Sequence, residues 1–184
     1  MKYWYIGAAA LVFAVAAGVL LCRKKTSPNP EIDGGVRHFH DDNAPKEINS
    51  TEITDFRCKF STVDLMREDS PIAGHLFTLY ACQKEGCLEL RDRSKEEGKK
   101  TFAPDETFFG KLQQIVSQYA FAQHNGRHYR VSGLPPHFGM ELEIRYASGE
   151  EIRASNNQSC FLPLEAMEAL VALFEQNNDQ EVIT

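Results

Sequence analysis

The sequence predicts an α+β fold: an antiparallel sheet of about five strands with two helices on one face, plus one N-terminal transmembrane helix. Three observations support this fold class. Residues 3–22 contain no charged side chain. Several later segments alternate apolar and polar residues, which is typical of strands with one wet face. Residues 104–124 and 163–177 instead repeat apolar side chains every three or four positions, as amphipathic helices do.

Residues 3–22 are long enough to cross a bilayer. About twenty helical residues at about 1.5 Å each span about 30 Å, which is the thickness of the hydrocarbon core. Aromatic residues at one end and basic residues 23–25 at the other are typical of the two membrane interfaces. A cleaved signal peptide fits less well, because its apolar region is shorter and ends in a small-x-small site. Lipidation of Cys22 is disfavoured by Leu21, since bacterial lipoproteins carry a small residue there.

The predicted anchor, residues 1–25, makes the lipid bilayer the first expected partner. Three basic residues follow the apolar run and only Lys2 precedes it, so the positive-inside rule favours a cytoplasmic domain. Ala10, Ala14 and Gly18 share one helical face, which would allow a helix-mediated homodimer. Alanine is so frequent in this run that the same spacing also arises by chance.

Residues 26–49 are rich in proline and glycine and lack apolar periodicity, which predicts a flexible linker. Within them, residues 38–42 place histidine and aspartate close together. A flexible segment would lose entropy on wrapping an ion, and no cysteine joins the set, so we expect no metal site. The domain is predicted over residues 50–177, followed by a tail at 178–184.

The first strands are predicted from residue 56 onwards. Residues 56–60 form one strand, and residues 75–82 and 87–92 form a hairpin with a four-residue loop. That loop length places Cys82 opposite Cys87, close enough for a disulfide in an oxidising compartment. In a reducing compartment the same two residues would remain thiols.

Two helices and a second hairpin complete the predicted fold. The first helix begins at residues 104–106 and runs to about His124, and the last begins at Pro163 and ends at residues 177–179. Between them, residues 140–146 and 151–155 alternate as a hairpin. A three-residue loop at 148–150 would pair Tyr146 with Ile152. Residues 95–100 are expected to form a loop.

The face of the sheet away from the helices is expected to be charged. Its residues alternate in sign, which is typical of a solvated surface and, less often, of a binding face. Together with the loop at residues 133–139, it supplies the predicted contact surface: His137, Glu141, Glu143, Arg145 and Arg153.

Residues 142–155, followed by Phe161-Leu162-Pro163 and a short amphipathic helix, resemble the C-terminal region of a family of uncharacterised bacterial membrane-anchored or exported small α+β domains. The resemblance implies the fold and, through the exported relatives, an extracellular domain. That location is opposite to the one favoured by the charge bias. No activity and no catalytic residues follow from the resemblance.

Composition and motifs exclude several classes of function. The formal net charge is −6 and there is no basic stripe, which argues against a nucleic-acid partner. The sequence contains no phosphate-binding loop, dinucleotide fingerprint or metalloprotease helix, so we expect no cofactor.

Two hypotheses about function remain. The leading one is a non-catalytic interaction or ligand-binding module whose partner is an unknown protein or small ligand. The alternative is a small enzyme that depends on a thiol and a histidine, for example Cys160 with His137 or His75. His124 and His128 flank a helix stop, where charge on His124 would be stabilised by the helix dipole.

The predicted anchor can be tested by fractionation. The full chain should stay in the membrane pellet after washes with high salt and alkaline carbonate, because a spanning apolar helix is not released by either. A chain that lacks residues 1–25 should move to the supernatant. Release of the full chain by carbonate would contradict a spanning helix.

Overall fold

A computed structural model describes residues 35–63, 69–96, 98–134 and 138–178 of the chain. Within these ranges the domain has α+β architecture, with one mixed sheet and two α-helices. The strands are Val36–His40 (β1), Ile53–Ser61 (β2), Leu76–Cys82 (β3), Cys87–Asp92 (β4), Lys99–Phe102 (β5), Arg127–Val131 (β6), Met140–Tyr146 (β7) and Glu151–Asn156 (β8), and the helices are Phe108–Gln118 (α1) and Leu164–Asn178 (α2).

None of the helices in these ranges is long and apolar enough to cross a membrane. The predicted anchor, residues 1–25, and most of the predicted tail lie outside the described residues.

The strands form one eight-stranded sheet in the order β1-β6-β8-β7-β2-β3-β4-β5. All neighbours are antiparallel except β6 and β8, which run parallel and pair His128 with Ser155 and Tyr129 with Asn156. The prediction of about five strands, all antiparallel, is therefore wrong in number and in this one pairing. The additional edge strands, β1 and β5, are short and polar, so the alternation of apolar residues does not reveal them.

The edge strand β1 lies within residues 26–49, for which the sequence predicts a linker. It pairs along its whole length with β6, and the rings of His38 and His40 pack edge-on against Tyr129, at centroid distances of 4.9 and 5.0 Å. The ordered domain thus begins before residue 50, because a polar edge strand can be held by backbone pairing and ring contacts alone. Similarly, β5 occupies part of the loop predicted at residues 95–100.

The hairpin β3–β4 has the predicted register. Cys82 lies opposite Cys87, and Leu79 lies opposite Leu90. Gly86 closes the four-residue loop with a φ of +58°, a conformation that glycine adopts without strain.

The hairpin β7–β8 differs from the prediction by one loop position. Ile152 lies opposite Ile144, and not opposite Tyr146, whose amide donates to the carbonyl oxygen of Glu150 at 3.0 Å. The three-residue loop is therefore 147–149. Gly149 is the third residue of this loop and has a φ of +87°. Three-residue hairpin loops need a residue with left-handed backbone conformation at that position.

The first helix is shorter than predicted at both ends. It begins at Phe108, because the Asp105 carboxylate accepts hydrogen bonds from the amide of Thr107 at 2.6 Å and from its hydroxyl at 2.7 Å, and so forms a turn before the helix. It ends at Gln118, and after Ala120, with a φ of +49°, a 3-10 turn covers Phe121–His124. In a continuous helix Phe121 would lie about half a turn away from Leu112. The break allows Phe121 to enter the core, where it is fully buried.

Both helices pack on one face of the sheet. The ring of Phe174 on α2 lies 6.2 Å from that of Phe56 on β2 and 5.1 Å from that of Phe108 on α1. The apolar residues of the central strands that face this layer are buried; they include Phe56, Cys58, Phe60, Phe77, Leu79, Ala81, Leu88, Leu90, Met140, Leu142, Ile144, Tyr146, Ile152 and Ala154. The other face is left to polar and charged residues.

Asn125 connects the 3-10 turn to the sheet. Its side-chain amide donates to the carbonyl oxygens of Pro45, at 3.0 Å, and Glu151, at 2.9 Å, and accepts from the amide of Arg153 at 2.8 Å. The residue is buried, so these bonds replace water for three backbone groups.

Replacing Asn125 with aspartate should destabilise the domain. The change directs a carboxylate oxygen at two backbone carbonyls and leaves them without a donor, at a cost of about 3 kcal/mol. The free energy of unfolding can be measured by urea denaturation followed by circular dichroism. Asn43→Asp, at an exposed position, is the control, and equal stability of the two variants would contradict the role of Asn125.

Candidate functional site

The predicted contact residues of β7 and β8 lie together on the face away from the helices. Leu142 and Ile144 are buried, so alternation directs Glu141, Glu143 and Arg145 to the opposite side. Arg153 on β8 lies directly opposite Glu143. Four of the five predicted residues are therefore neighbours, and His137 lies outside the described residues.

The charges on this face form a chain of ion pairs. Glu143 accepts from Arg145 and lies 3.4 Å from Nη2 of Arg153, which also approaches Glu151 at 3.0 Å. On the neighbouring strand, Nζ of Lys59 lies 3.5 Å from Glu141. Such exposed pairs contribute only about 0–1 kcal/mol each, so a ligand can replace them at small cost to the fold.

Arg57 on β2 stands at the centre of the face. It lies between Glu143 on β7 and Tyr80 on β3, and its guanidinium carbon is 5.5 Å from the centroid of the tyrosine ring. Within the described part of the chain, Arg57 forms no ion pair. The alternation of residues 56–60 predicts Arg57 on a wet strand face, but its central position depends on the order of the strands and cannot be read from the sequence.

Three adjoining hollows run across this face. The central one has a volume of about 320 Å³ and lies over β8, β7, β2 and β3. One of about 490 Å³ adjoins it towards β6, and one of about 170 Å³ adjoins it on the other side at Tyr80. We call the three hollows together the polar groove. The residues that line two of the three hollows are Arg57, Lys59, Glu141, Glu143 and Ser155, and Arg153 lines the central hollow alone.

His128 lies at the wall of the groove. Its Nδ1 is 2.9 Å from the hydroxyl of Ser155. Burial, and then the positive charges of Arg153 and His40, lower the pKa of His128. His128 is therefore neutral near pH 7. The fixed positive charges that line the groove are those of Arg57, Lys59, Arg130, Arg145 and Arg153.

Cys82 and Cys87 lie beside the groove on the same face. They are directly opposed, as predicted, and both are free thiols in the structure. A hydrogen bond with Cys82 raises the pKa of the adjacent Tyr80 hydroxyl. The disulfide between the two cysteines stays a prediction that depends on the redox state of the compartment.

The thiols and histidines proposed for an enzyme have other contacts. The thiol of Cys160 donates to the carbonyl oxygen of Ser61 at 3.2 Å. The thiol of Cys58 is fully buried, which raises its pKa and makes it a poor nucleophile. His75 instead contacts Asp92, with 2.8 Å between Nδ1 and Oδ2, and the hydroxyl of Ser94, at 2.9 Å.

His124 packs against Phe161, with 5.0 Å between the ring centroids. Burial, and then the charges of Arg127 and Lys46, lower its pKa. The expectation that a helix dipole stabilises charged His124 is therefore wrong. The α-helix ends at Gln118, so His124 is not in its last turn.

Asp92 is a buried carboxylate that remains ionised. Burial alone would raise its pKa, but hydrogen bonds from Ser94, Lys95 and His75 outweigh that effect and lower it to about 2. Nζ of Lys95 is 3.1 Å from the carboxylate. The sequence alone does not reveal this group, because Asp92 and His75 are brought together only by the pairing of β3 with β4.

Comparisons with known proteins do not assign a family. No family model matches the chain, and neither a curated protein nor a solved structure matches it significantly. The resemblance of the C-terminal hairpin and helix to uncharacterised bacterial domains therefore remains an expectation, and function is argued from the geometry.

The low pKa of Asp92 predicts stability that decreases in acid. A carboxyl group with a pKa of about 2 in the folded chain and about 3.9 in the unfolded chain stabilises the fold above pH 3.9. This stabilisation, on the order of 1–2 kcal/mol, is lost as the pH falls through 2. Asp92→Asn should lower the free energy of unfolding at pH 7 and flatten its dependence on pH between about 4 and 2.

Urea denaturation at a series of pH values measures this effect. Asp42→Asn, at an exposed position, should keep the pH dependence of the native chain. An unchanged acid profile for Asp92→Asn would contradict the assignment.

Proposed function

We propose that this chain is a single-pass membrane-anchored binding module. In this proposal residues 3–22 cross the membrane, and the polar groove of the α+β domain holds a segment of a partner or a small ligand. The observation that carries the proposal is Arg57, an exposed central cation that lines two adjoining hollows and forms no ion pair in the described part of the chain.

The position of the groove supports a binding role. Both helices pack on the opposite face, so no described element covers the groove. Its central hollow of about 320 Å³ falls in the size range of ligand sites, which is about 300–1,000 Å³. The adjoining hollows lengthen it across the strands, which suits an extended ligand better than a compact one.

The charges of the groove favour a ligand with carboxylates. Glu143 is already paired with Arg145 and Arg153, and Glu141 with Lys59. Arg57 has no ion pair in the described part of the chain, so its planar guanidinium can donate two parallel hydrogen bonds to a carboxylate of the ligand. We therefore infer that the partner presents an acidic segment.

The alternative, a small enzyme that depends on both a thiol and a histidine, has less support. The thiols of Cys58 and Cys160 are directed to the core and to a backbone carbonyl. His75 is held by a carboxylate and a hydroxyl. Neither arrangement supplies the activated thiol that such chemistry needs.

Binding of a fluorescein-labelled oligoglutamate peptide tests the proposal. The full chain in detergent should bind it saturably and more weakly as salt rises, and should not bind an oligolysine peptide of equal length. Arg57→Gln should weaken binding at least about tenfold, since a hydrogen bond to a charged group contributes about 1.5–3 kcal/mol.

The matched control is Arg91→Gln, on the same face but outside the groove, which should change the affinity less than twofold. Fluorescence anisotropy gives both affinities. Equal losses in the two variants, or the absence of saturable binding, would refute the proposed role of the groove.

A further inference from the structure

A second concave site lies on the helix side of the sheet. It is a cleft of about 240 Å³ between α2 and the open end of the β3–β4 hairpin, away from the turn at residues 83–86. Its apolar lining residues are Ile72, Phe77, Leu90 and Val171, and its polar ones include His75, Asp92 and Lys100. None of its lining residues belongs to the polar groove.

The imidazole of His75 has a defined orientation in this cleft. Its ring stacks on Phe77, with a centroid distance of 5.7 Å, and its Nδ1 is 2.8 Å from Oδ2 of Asp92. An ionised carboxylate only accepts hydrogen bonds, so Nδ1 carries the proton and Nε2 carries the basic lone pair. Among the described residues, no group is hydrogen-bonded to Nε2.

Asp92 prepares this nitrogen for proton transfer. A carboxylate bonded to Nδ1 holds the ring in one tautomer and stabilises the imidazolium that forms when Nε2 accepts a proton. The hydroxyl of Ser94 contacts the same Nδ1 and donates to Oδ1 of Asp92. Ser94 is therefore a positioning residue, because a serine nucleophile would have to contact Nε2.

We propose that the cleft hydrolyses small carboxylic esters, with His75 as the general base. Nε2 of His75 accepts a proton from water as the water oxygen bonds to the ester carbonyl carbon, and the carbonyl electron pair moves onto its oxygen. When the electron pair on the oxyanion re-forms the carbonyl double bond, the bond between the carbonyl carbon and the leaving alkoxide breaks. The alkoxide then takes the proton from Nε2 of His75. One ester and one water give one acid and one alcohol, and His75 is regenerated.

Two other features of the cleft define the substrate. Lys100 lines it and, in the described part of the chain, has no ion pair, so its ammonium group is available to stabilise the oxyanion. The apolar lining favours a short apolar acyl chain. The proposal is independent of the polar groove, so the failure of one leaves the other unaffected.

Hydrolysis of 4-nitrophenyl butyrate and 4-nitrophenyl acetate by the full chain tests the proposal. The native chain should exceed the buffer rate and prefer butyrate, because the apolar lining binds the longer chain. His75→Gln should lower kcat/KM for butyrate about a hundredfold, which is the usual contribution of a general base. His40→Gln, on the exposed edge strand, is the control and should retain the native rate.

Two further variants distinguish hydrolysis in this cleft from hydrolysis by a reactive histidine elsewhere on the surface. Ala172 is exposed and lines the cleft, so the side chain of Ala172→Phe should fill the cleft without disturbing the core. This variant should raise the KM for butyrate more than the KM for acetate, because the longer acyl chain needs more of the cleft. Asp92→Asn should lower kcat while the preference for butyrate remains, with circular dichroism as the check on folding. Equal rates for the native chain and His75→Gln, or an unchanged acyl preference in Ala172→Phe, would overturn the proposal.

Discussion

The two faces of β2 are the constraint on which the rest of the structure depends. Phe56, Cys58 and Phe60 pack under the helices, while Arg57 and Lys59 emerge on the other side. The strand is paired on both sides, with β3 and β7, so its register sets theirs. A slip of one residue would place the charges in the core and the phenylalanines in water, which makes this register strongly preferred.

The edges of the sheet depend on polar contacts more than on apolar burial. The strand pair β1–β6 joins β8 through only two residue pairs, and Asn157 adds to that junction by bonding both backbone groups of Val131 at 2.8 Å. Gly139 lies in the same corner, where a β-carbon would be 1.9 Å from the carbonyl oxygen of Asn156.

The two proposed sites differ in how their charges are held. The ion pairs of the polar groove are exposed and weak, so they can exchange partners when a ligand arrives. Asp92 is nearly buried and surrounded by donors, so its charge is fixed and serves to orient one imidazole. The first arrangement suits recognition and the second suits chemistry, and the sheet separates them on its opposite faces.

The sequence by itself determined the apolar segment 3–22, the α+β class and the hairpin β3–β4, because each depends on local periodicity and turn length. It also placed Glu141, Glu143, Arg145 and Arg153 on one face, since alternation along a strand needs no tertiary information. Only the tertiary structure decided the parallel pairing of β6 with β8, the polar edge strands and the break after α1, which places Phe121 in the core. It alone joined His75 to Asp92 and centred Arg57 in the groove, because contacts between distant segments follow from strand order and not from local pattern.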